Sequence, residues 1–383
     1  MGRLTWVIKL SKYCNFRCSY CYELPRLANK ERIPEDRFDI LAKRIFEISS
    51  TFGAMPRICW HGGEPLLLPL DYLGRAVDRV NSVYNSEAKA ISHTVQTNLS
   101  IINYKIINFL RDNFAVVGVS FDPYGHARKH LNGISYEVNI ATNMQLLRDN
   151  GVRFGCISVL HKGNSKEIEG AFDFFNEARI NFRLLPFYRT SSASQLSRNG
   201  NTEKEVVSAM KNLFDLWLSK NKGISIQPLD LYMEIAIAKA TGKVRPKYSK
   251  MKGERVYIVD TSGDIYSIAD TYNESYRHGN IFYNSGKEIT DSVGRNACIE
   301  EAEERMDAMC LGCEYSSACS GWYAAEATDV EREMHKGLPF CPVAHDVIDY
   351  IYRRITSTSP HLLQGAEREP DNETKDLKDT WQL

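Results

Sequence analysis

Two periodicities alternate along this chain. Short runs dominated by apolar and β-branched residues lie at 5–10, 57–60, 91–96, 114–121, 154–160 and 182–186. Longer stretches with apolar residues at helical spacing separate them, at 35–49, 70–84, 105–111, 136–150 and 166–177. The first runs predict strands and the second predict amphipathic helices. Strand and helix in strict turn give about six β/α units before residue 190, and such units build a parallel sheet with right-handed crossovers. The class is α/β, and chemistry is expected at the C-terminal ends of the strands.

After residue 190 the pattern changes. A polar stretch at 190–202 leads into a helical region at 203–240. Runs at 256–259 and 265–267 flank Thr261-Ser262-Gly263-Asp264 and predict a hairpin. A segment rich in cysteine, glycine and aromatic residues follows, then a helix at 342–355, and from about 357 a polar, charged stretch expected to be loosely ordered. The predicted division is a barrel at 1–200, a helical connection at 201–250, a cysteine-rich region at 251–356 and a tail at 357–383. No internal repeat is present.

Composition narrows the class of protein. The 383 residues carry 48 Lys plus Arg against 48 Asp plus Glu, so no net charge draws the chain to nucleic acid or to a membrane surface. No apolar run approaches the roughly 20 residues that span a bilayer, and no signal-peptide core follows the N-terminus. Ten cysteines without a secretion signal point to reduced thiols and metal rather than disulfides, and to the cytoplasm.

The cysteines then carry the argument. Cys14, Cys18 and Cys21 stand in Cys-Asn-Phe-Arg-Cys-Ser-Tyr-Cys, directly after the first strand. Thiolates are natural ligands of iron–sulfur clusters, which mostly take four; three leave one iron of a four-iron cluster open. A zinc site is the alternative, and it needs a fourth ligand that this loop lacks. The second strand ends in Trp60-His61-Gly62-Gly63-Glu64-Pro65, where glycines allow close backbone approach and a carboxylate can pair with an ammonium group.

Together these motifs resemble the radical S-adenosylmethionine (SAM) enzymes. The resemblance implies a partial (β/α)6 TIM-like barrel, with SAM bound by its amino and carboxylate groups to the open iron of a [4Fe-4S] cluster. It implies that Tyr20 lies near the adenine and that Gly62, Gly63, Glu64 and Pro65 hold the methionine amine. Thr97, Asn98, Ser120 and Asp122, at the ends of the third and fourth strands, become candidate cofactor or substrate contacts, and Arg128 a candidate for the cofactor carboxylate. Asn, Ser and Asp also cap strands and form turns, which is the plainer role for those positions.

Cys310, Cys313, Cys319 and Cys341, with Gly263, Tyr266 and Gly279-Asn280-Ile281, resemble the SPASM/twitch extension of peptide-modifying radical enzymes. Its full pattern has seven cysteines and two auxiliary clusters. Here Tyr323 and Ile268 replace two of them and the third is absent. All three losses fall on the inner cluster, so the resemblance implies one auxiliary [4Fe-4S] cluster on the four that remain; a structural zinc on the same thiolates is the alternative. Sulfatase-maturing members place a basic aspartate after the cysteine that Ile268 replaces. Ala269 stands there, which argues against that reaction, and Asp270 is the candidate catalytic residue.

The function so implied is reductive cleavage of SAM to a 5′-deoxyadenosyl radical that abstracts hydrogen from substrate. The leading substrate is a ribosomally made peptide, cross-linked or oxidised at a side-chain carbon. The alternatives are a small molecule (a sugar, nucleoside or amino acid) or a noncatalytic iron–sulfur carrier or sensor. The expected partners are an external one-electron reductant of the flavodoxin or ferredoxin type and, because the chain starts almost at its first strand, a separate leader-recognition protein.

Overall fold

A computed structural model of the chain describes residues 2–84, 91–187, 198–270, 272–328, 331–332 and 341–357. The tail expected from 357 lies almost wholly outside the described residues. The β/α alternation is present: β1 (Gly2–Ser11), α1 (Phe38–Thr51), β2 (Ala54–Gly62), α2 (Leu70–Tyr84), β3 (Ser92–Thr97), α3 (Tyr104–Asn113), β4 (Val116–Ser120), α4 (Glu137–Asp149), β5 (Phe154–Leu160), α5 (Ile168–Glu177) and β6 (Phe182–Pro186).

The chain divides into two units. The first comprises residues 1–121, 127–155 and 250–300. Within it β1 pairs in parallel with β2, β2 with β3 and β3 with β4. On its other side β1 pairs in parallel with β8 (Val256–Val259), which forms the expected hairpin with β9 (Asp264–Ser267), and β10 (Gly279–Asn280) adds to β9. Gly263 makes the hairpin turn at φ +91°, where a Cβ would meet the Phe282 ring at 2.4 Å.

Strands covered on both faces read as near-continuous apolar runs, and β1 does so: Leu4, Trp6, Ile8 and Leu10 are almost inaccessible. Trp6 meets its burial requirement by donating its indole N–H to Ser49 Oγ at 3.0 Å. Asn103 caps α3 by accepting from the Ile106 N–H.

The second unit comprises residues 122–126, 156–249 and 301–383. In it β5 continues, parallel to β6, which pairs with β7 (Ile226–Gln227). That short strand divides the helical region expected at 203–240 into α6 (Glu203–Lys220) and α7 (Leu229–Thr241). The reason is local: Asn221, Lys222 and Gly223 end α6, with Asn221 Oδ1 accepting from the Gly223 and Ile224 N–H groups, and Pro228 precedes α7. α8 (Gly286–Thr290) belongs to the first unit, and the long helix α9 (Val293–Cys310) has its residues 293–300 in the first unit and 301–310 in the second. From Ala297 onward its Ala, Glu, Arg and Met content favours helix. α10 (Trp322–Ala325) and α11 (Pro342–Ser357) complete the described elements.

A buried histidine in the first unit gives a pH signature. His93, 4 % exposed, accepts from the Trp60 indole at Nδ1 and meets Asn81 Oδ1 through Nε2. Both contacts suit a neutral ring, and burial lowers its pKa to about 4. A histidine with a depressed folded pKa contributes stability above its unfolded pKa and loses it as pH falls. At about pH 5 the loss from His93 alone is roughly 2 kcal/mol. The urea midpoint of cluster-free protein is therefore expected to fall between about pH 7.5 and pH 5, and to fall less in His93→Gln.

Candidate radical and auxiliary cluster sites

The cysteine loop follows β1 and is pinned from two sides within the first unit. The Cys14 N–H donates to Leu27 O at 3.1 Å and the Lys12 N–H to Glu31 O at 3.1 Å. On the other side Arg17 N–H donates to Lys129 O, Ser19 N–H to Ala127 O and Leu131 N–H to Asn15 O. Phe16 packs edge-on against His130 and Tyr136. The Arg17 guanidinium donates to the Cys14 and Phe16 carbonyls, closing the turn between the first two cysteines.

The glycine pair after β2 does something more specific than admit a ligand. The Gly63 N–H donates to Ser11 O at 2.7 Å and the Glu64 N–H to Tyr13 O at 2.9 Å. A Cβ on Gly62 would stand 2.3 Å from Ser11 O, at φ +136°, and one on Gly63 would stand 2.2 Å from Tyr13 O. Two side chains are therefore excluded where the second strand end meets the cysteine loop.

Glu64, 1 % exposed, becomes the hub of three strand ends. Its Oε1 accepts from the Leu66 N–H at 3.0 Å and the Thr97 hydroxyl at 2.6 Å, and its Oε2 accepts from the Asn98 N–H at 2.6 Å. Burial raises its pKa, against the pull of these donors. Pro65 opens the short 3-10 turn that Glu64 caps. Asn98 turns its amide to Asn15 Oδ1 at 3.0 Å and toward Cys14 Sγ at 3.7 Å. Thr97 and Asn98 thus orient Glu64 and the loop.

Ser120 accepts from Gln96 Nε2 at 2.7 Å. Asp122, in the second unit, accepts from the Val159 N–H at 2.7 Å and the Ser158 hydroxyl at 3.2 Å, the strand-tying role that aspartate commonly takes. The Arg128 guanidinium donates to the Tyr20 hydroxyl at 2.7 Å, so these two candidates form one buried pair.

The three thiols suit a metal cluster. Burial first, and then the Glu64 charge, pushes Cys14 up to about 11; burial and then Cys18 push Cys21 up to about 12. Metal binding replaces those protons. The chain's contribution is a preformed loop in which Cys14 Sγ already accepts from the Phe16 N–H at 3.3 Å.

The second cysteine set lies in the second unit. The Tyr315 N–H donates to Cys313 Sγ and the Gly321 N–H to Cys319 Sγ, each at 3.5 Å. Gly321 has φ +80°, and a Cβ there would press on Met306 at 2.8 Å and Cys310 Sγ at 3.5 Å. Cys341 is pushed up to about 12 by burial and then by Cys319, Cys313 and Cys310, which brings all four thiols within electrostatic reach of one another. Met306, Ala302, Ala324 and Ala325 supply the apolar floor with Tyr248. Tyr323 packs between Tyr232 and Trp322, filling with aromatic surface the position where a cysteine of the fuller pattern would stand. Among the described residues no three of His, Cys, Asp and Glu converge as ligands of a single metal ion would. In a cluster each thiolate binds its own iron.

Asp270 is 3 % exposed and lies against Cys298 of α9, where burial and then Asp270 push the thiol well above its ordinary range. Sequence reasoning passed over a further group in the first unit: Lys9, Glu23 and Tyr272, a buried charged cluster beside the cysteine loop. Its signal was present, since Lys9 is the lone charge in the apolar run of β1.

The family model described as the radical SAM superfamily matches residues 8–175, the span that holds the three-cysteine loop and the Gly-Gly-Glu-Pro turn. Residues 8–175 of the chain are a radical SAM domain. It is 24% identical over 341 residues to the cysteine-type anaerobic sulfatase-maturating enzyme of Clostridium novyi (strain NT), a match covering 83% of this chain and 87% of that protein. A solved structure described as native anSMEcpe with bound AdoMet and Cp18Cys peptide matches with a TM-score of 0.70 at 19% identity, covering 94% of this chain and 100% of that one. Streptococcus suis SuiB bound to precursor peptide SuiA matches with a TM-score of 0.59 at 15% identity, covering 90% and 76%. The fold of the chain is accordingly the partial (β/α)6 barrel with a SPASM-type C-terminal extension, and its cofactors are SAM and a [4Fe-4S] cluster. No helix among the described residues is long and apolar enough to cross a membrane.

The glycine contact gives a direct test of the loop's construction. Gly63→Ala is expected to lose most of the iron bound after anaerobic reconstitution that wild type loses in Cys14/Cys18/Cys21→Ala, because the 2.2 Å clash falls on backbone. Full iron content in Gly63→Ala would show that the loop tolerates displacement.

Proposed function

We propose that the chain is a radical SAM enzyme that modifies a side-chain carbon of a ribosomally made peptide, forming a cross-link or another oxidised product. The observation that carries the reading is the near full-length likeness to enzymes whose structures hold peptides, one a substrate-type Cys peptide and one a precursor peptide. In the same reading Cys14, Cys18 and Cys21 hold the catalytic cluster, and Cys310, Cys313, Cys319 and Cys341 hold one auxiliary cluster. When bound, the catalytic cluster and SAM supply the 5′-deoxyadenosyl radical that abstracts hydrogen. The chain's own residues bind, orient and exclude water. Glu64 is the acceptor for the methionine ammonium, held in register by Thr97 and the Asn98 N–H. Tyr20, fixed by Arg128, forms the adenine side.

The product differs from that of the sulfatase-maturating relatives in this reading. Ala269 has no base to offer, and Asp270 hydrogen-bonds buried Cys298. The required electron comes from an external reductant of the flavodoxin or ferredoxin type.

The test is anaerobic turnover with SAM, reductant and peptides translated from short reading frames beside the gene. The expected result is peptide-stimulated 5′-deoxyadenosine release and a peptide that has lost hydrogen by mass. Stimulation by a sugar, nucleoside or free amino acid, with none by any peptide, would overturn the peptide assignment and leave the radical chemistry standing. For the auxiliary site, Cys310→Ala with Cys313→Ala is expected to remove about half of the iron, on the four-iron stoichiometry of such clusters. Zinc in place of that iron would make the site structural.

A further inference from the structure

Lys9, Glu23 and Tyr272 converge in the first unit from three separate stretches of chain. Lys9 lies near the end of β1, paired in register with His61 of β2. Its Nζ donates to Glu23 Oε1 at 2.5 Å and to the Tyr272 hydroxyl at 2.9 Å, and the Tyr272 hydroxyl donates to the same carboxylate oxygen. The ammonium lies 4.8 Å from the centre of the Tyr22 ring and 4.4 Å from that of Tyr272, and Arg26 covers the Tyr272 ring at 4.0 Å. Lys9 is 3 % and Glu23 7 % exposed. Burying two charges costs several kcal/mol per ion, and an apolar pair of similar volume often serves stability as well or better. Packing alone therefore does not account for this pair.

Its place in the chain does. Glu23 stands two residues beyond Cys21, in a turn where the Cys21 N–H donates to Cys18 O and the Leu24 N–H to Cys21 O. The Glu23 backbone N–H hydrogen-bonds the Cys21 sulfur. Glu23 Oε1 accepts from both the Lys9 ammonium and the Tyr272 hydroxyl, the pairing of a carboxylate with a cation. Both members are charged, and they stand next to a cluster ligand.

We propose that Lys9, locked on Glu23 by Tyr272, cancels the charge that Glu23 places beside the cluster held by Cys14, Cys18 and Cys21. Lys9 is the cation that offsets Glu23 and keeps that cluster reducible. The inference rests on the assignment of those three cysteines to the catalytic cluster. A unit charge added or removed at about 10 Å, at an effective dielectric of about 20, changes the reduced-to-oxidised ratio roughly tenfold. For a one-electron couple tenfold corresponds to about 59 mV.

The experiment is an EPR-monitored redox titration of the reconstituted full chain without substrate, following the signal that changes on adding SAM. Lys9→Met is expected to move the midpoint negative, by about a tenfold loss of reduced cluster at fixed potential. Glu23→Gln, which keeps shape and removes charge, is expected to move it positive by a similar factor, and the double variant to return near wild type. A purely structural role would lower iron content in both single variants and would not separate their midpoints in sign. Midpoints that stay together or move in one direction at full iron content overturn the proposal. So does loss of iron by both variants. If Lys9→Met alone fails to take up iron, the isosteric Glu23→Gln decides: an unchanged midpoint overturns the proposal and a positive shift supports it. Persistence of the SAM-sensitive signal in Cys14/Cys18/Cys21→Ala is a separate outcome, which overturns the cluster assignment itself and with it this inference.

Discussion

The backbone of Gly62 and Gly63 lies in direct contact with the backbone of residues 11–13, and the first unit's site depends on that contact. Two main-chain hydrogen bonds cross it, and neither glycine has room for a methyl group. The contact fixes how far the cysteine loop stands from the end of β2. It sets the direction in which Glu64 leaves its strand, and through Glu64 it ties in Thr97 and Asn98 at the end of β3. Three strand ends become one rigid platform, and rigid placement by strands is more exact than placement by loops.

Around this platform buried polar groups are linked in chains. Glu64 takes three donors, Asn98 serves Glu64, Asn15 and Cys14, and Arg128 serves Tyr20. The Lys9, Glu23 and Tyr272 group belongs to the same logic but carries full charges. Its members come from β1, from the segment after the cysteine loop and from the segment after β9.

The extension in the second unit solves a different problem. Four thiols are collected on the end of α9 and the short segments after it, over a small apolar floor of Met306 and alanines. Small side chains there let the backbone N–H groups of Tyr315 and Gly321 reach sulfur. Where the fuller pattern has a cysteine, Tyr323 supplies packing, which needs no metal to be stable.

Much of this was written in local order. The β/α alternation followed from period and apolar content, and the cysteine spacings and the Gly-Gly-Glu-Pro turn announced the chemistry because cluster ligation depends on residues a few positions apart. Three things did not follow from spacing and hydrophobic period. Asp122 ties down β5, 36 and 37 residues away. Residues 221–228 break a helical region through turn chemistry that hydrophobic period does not record. Tyr272, 249 residues from Glu23, completes a charged group that no window of sequence contains. Local spacing determined which cofactor the chain is built for. Only the tertiary structure decided which charges surround it, because electrostatic partners are chosen by proximity in space and the strands of a parallel sheet bring distant segments to one edge.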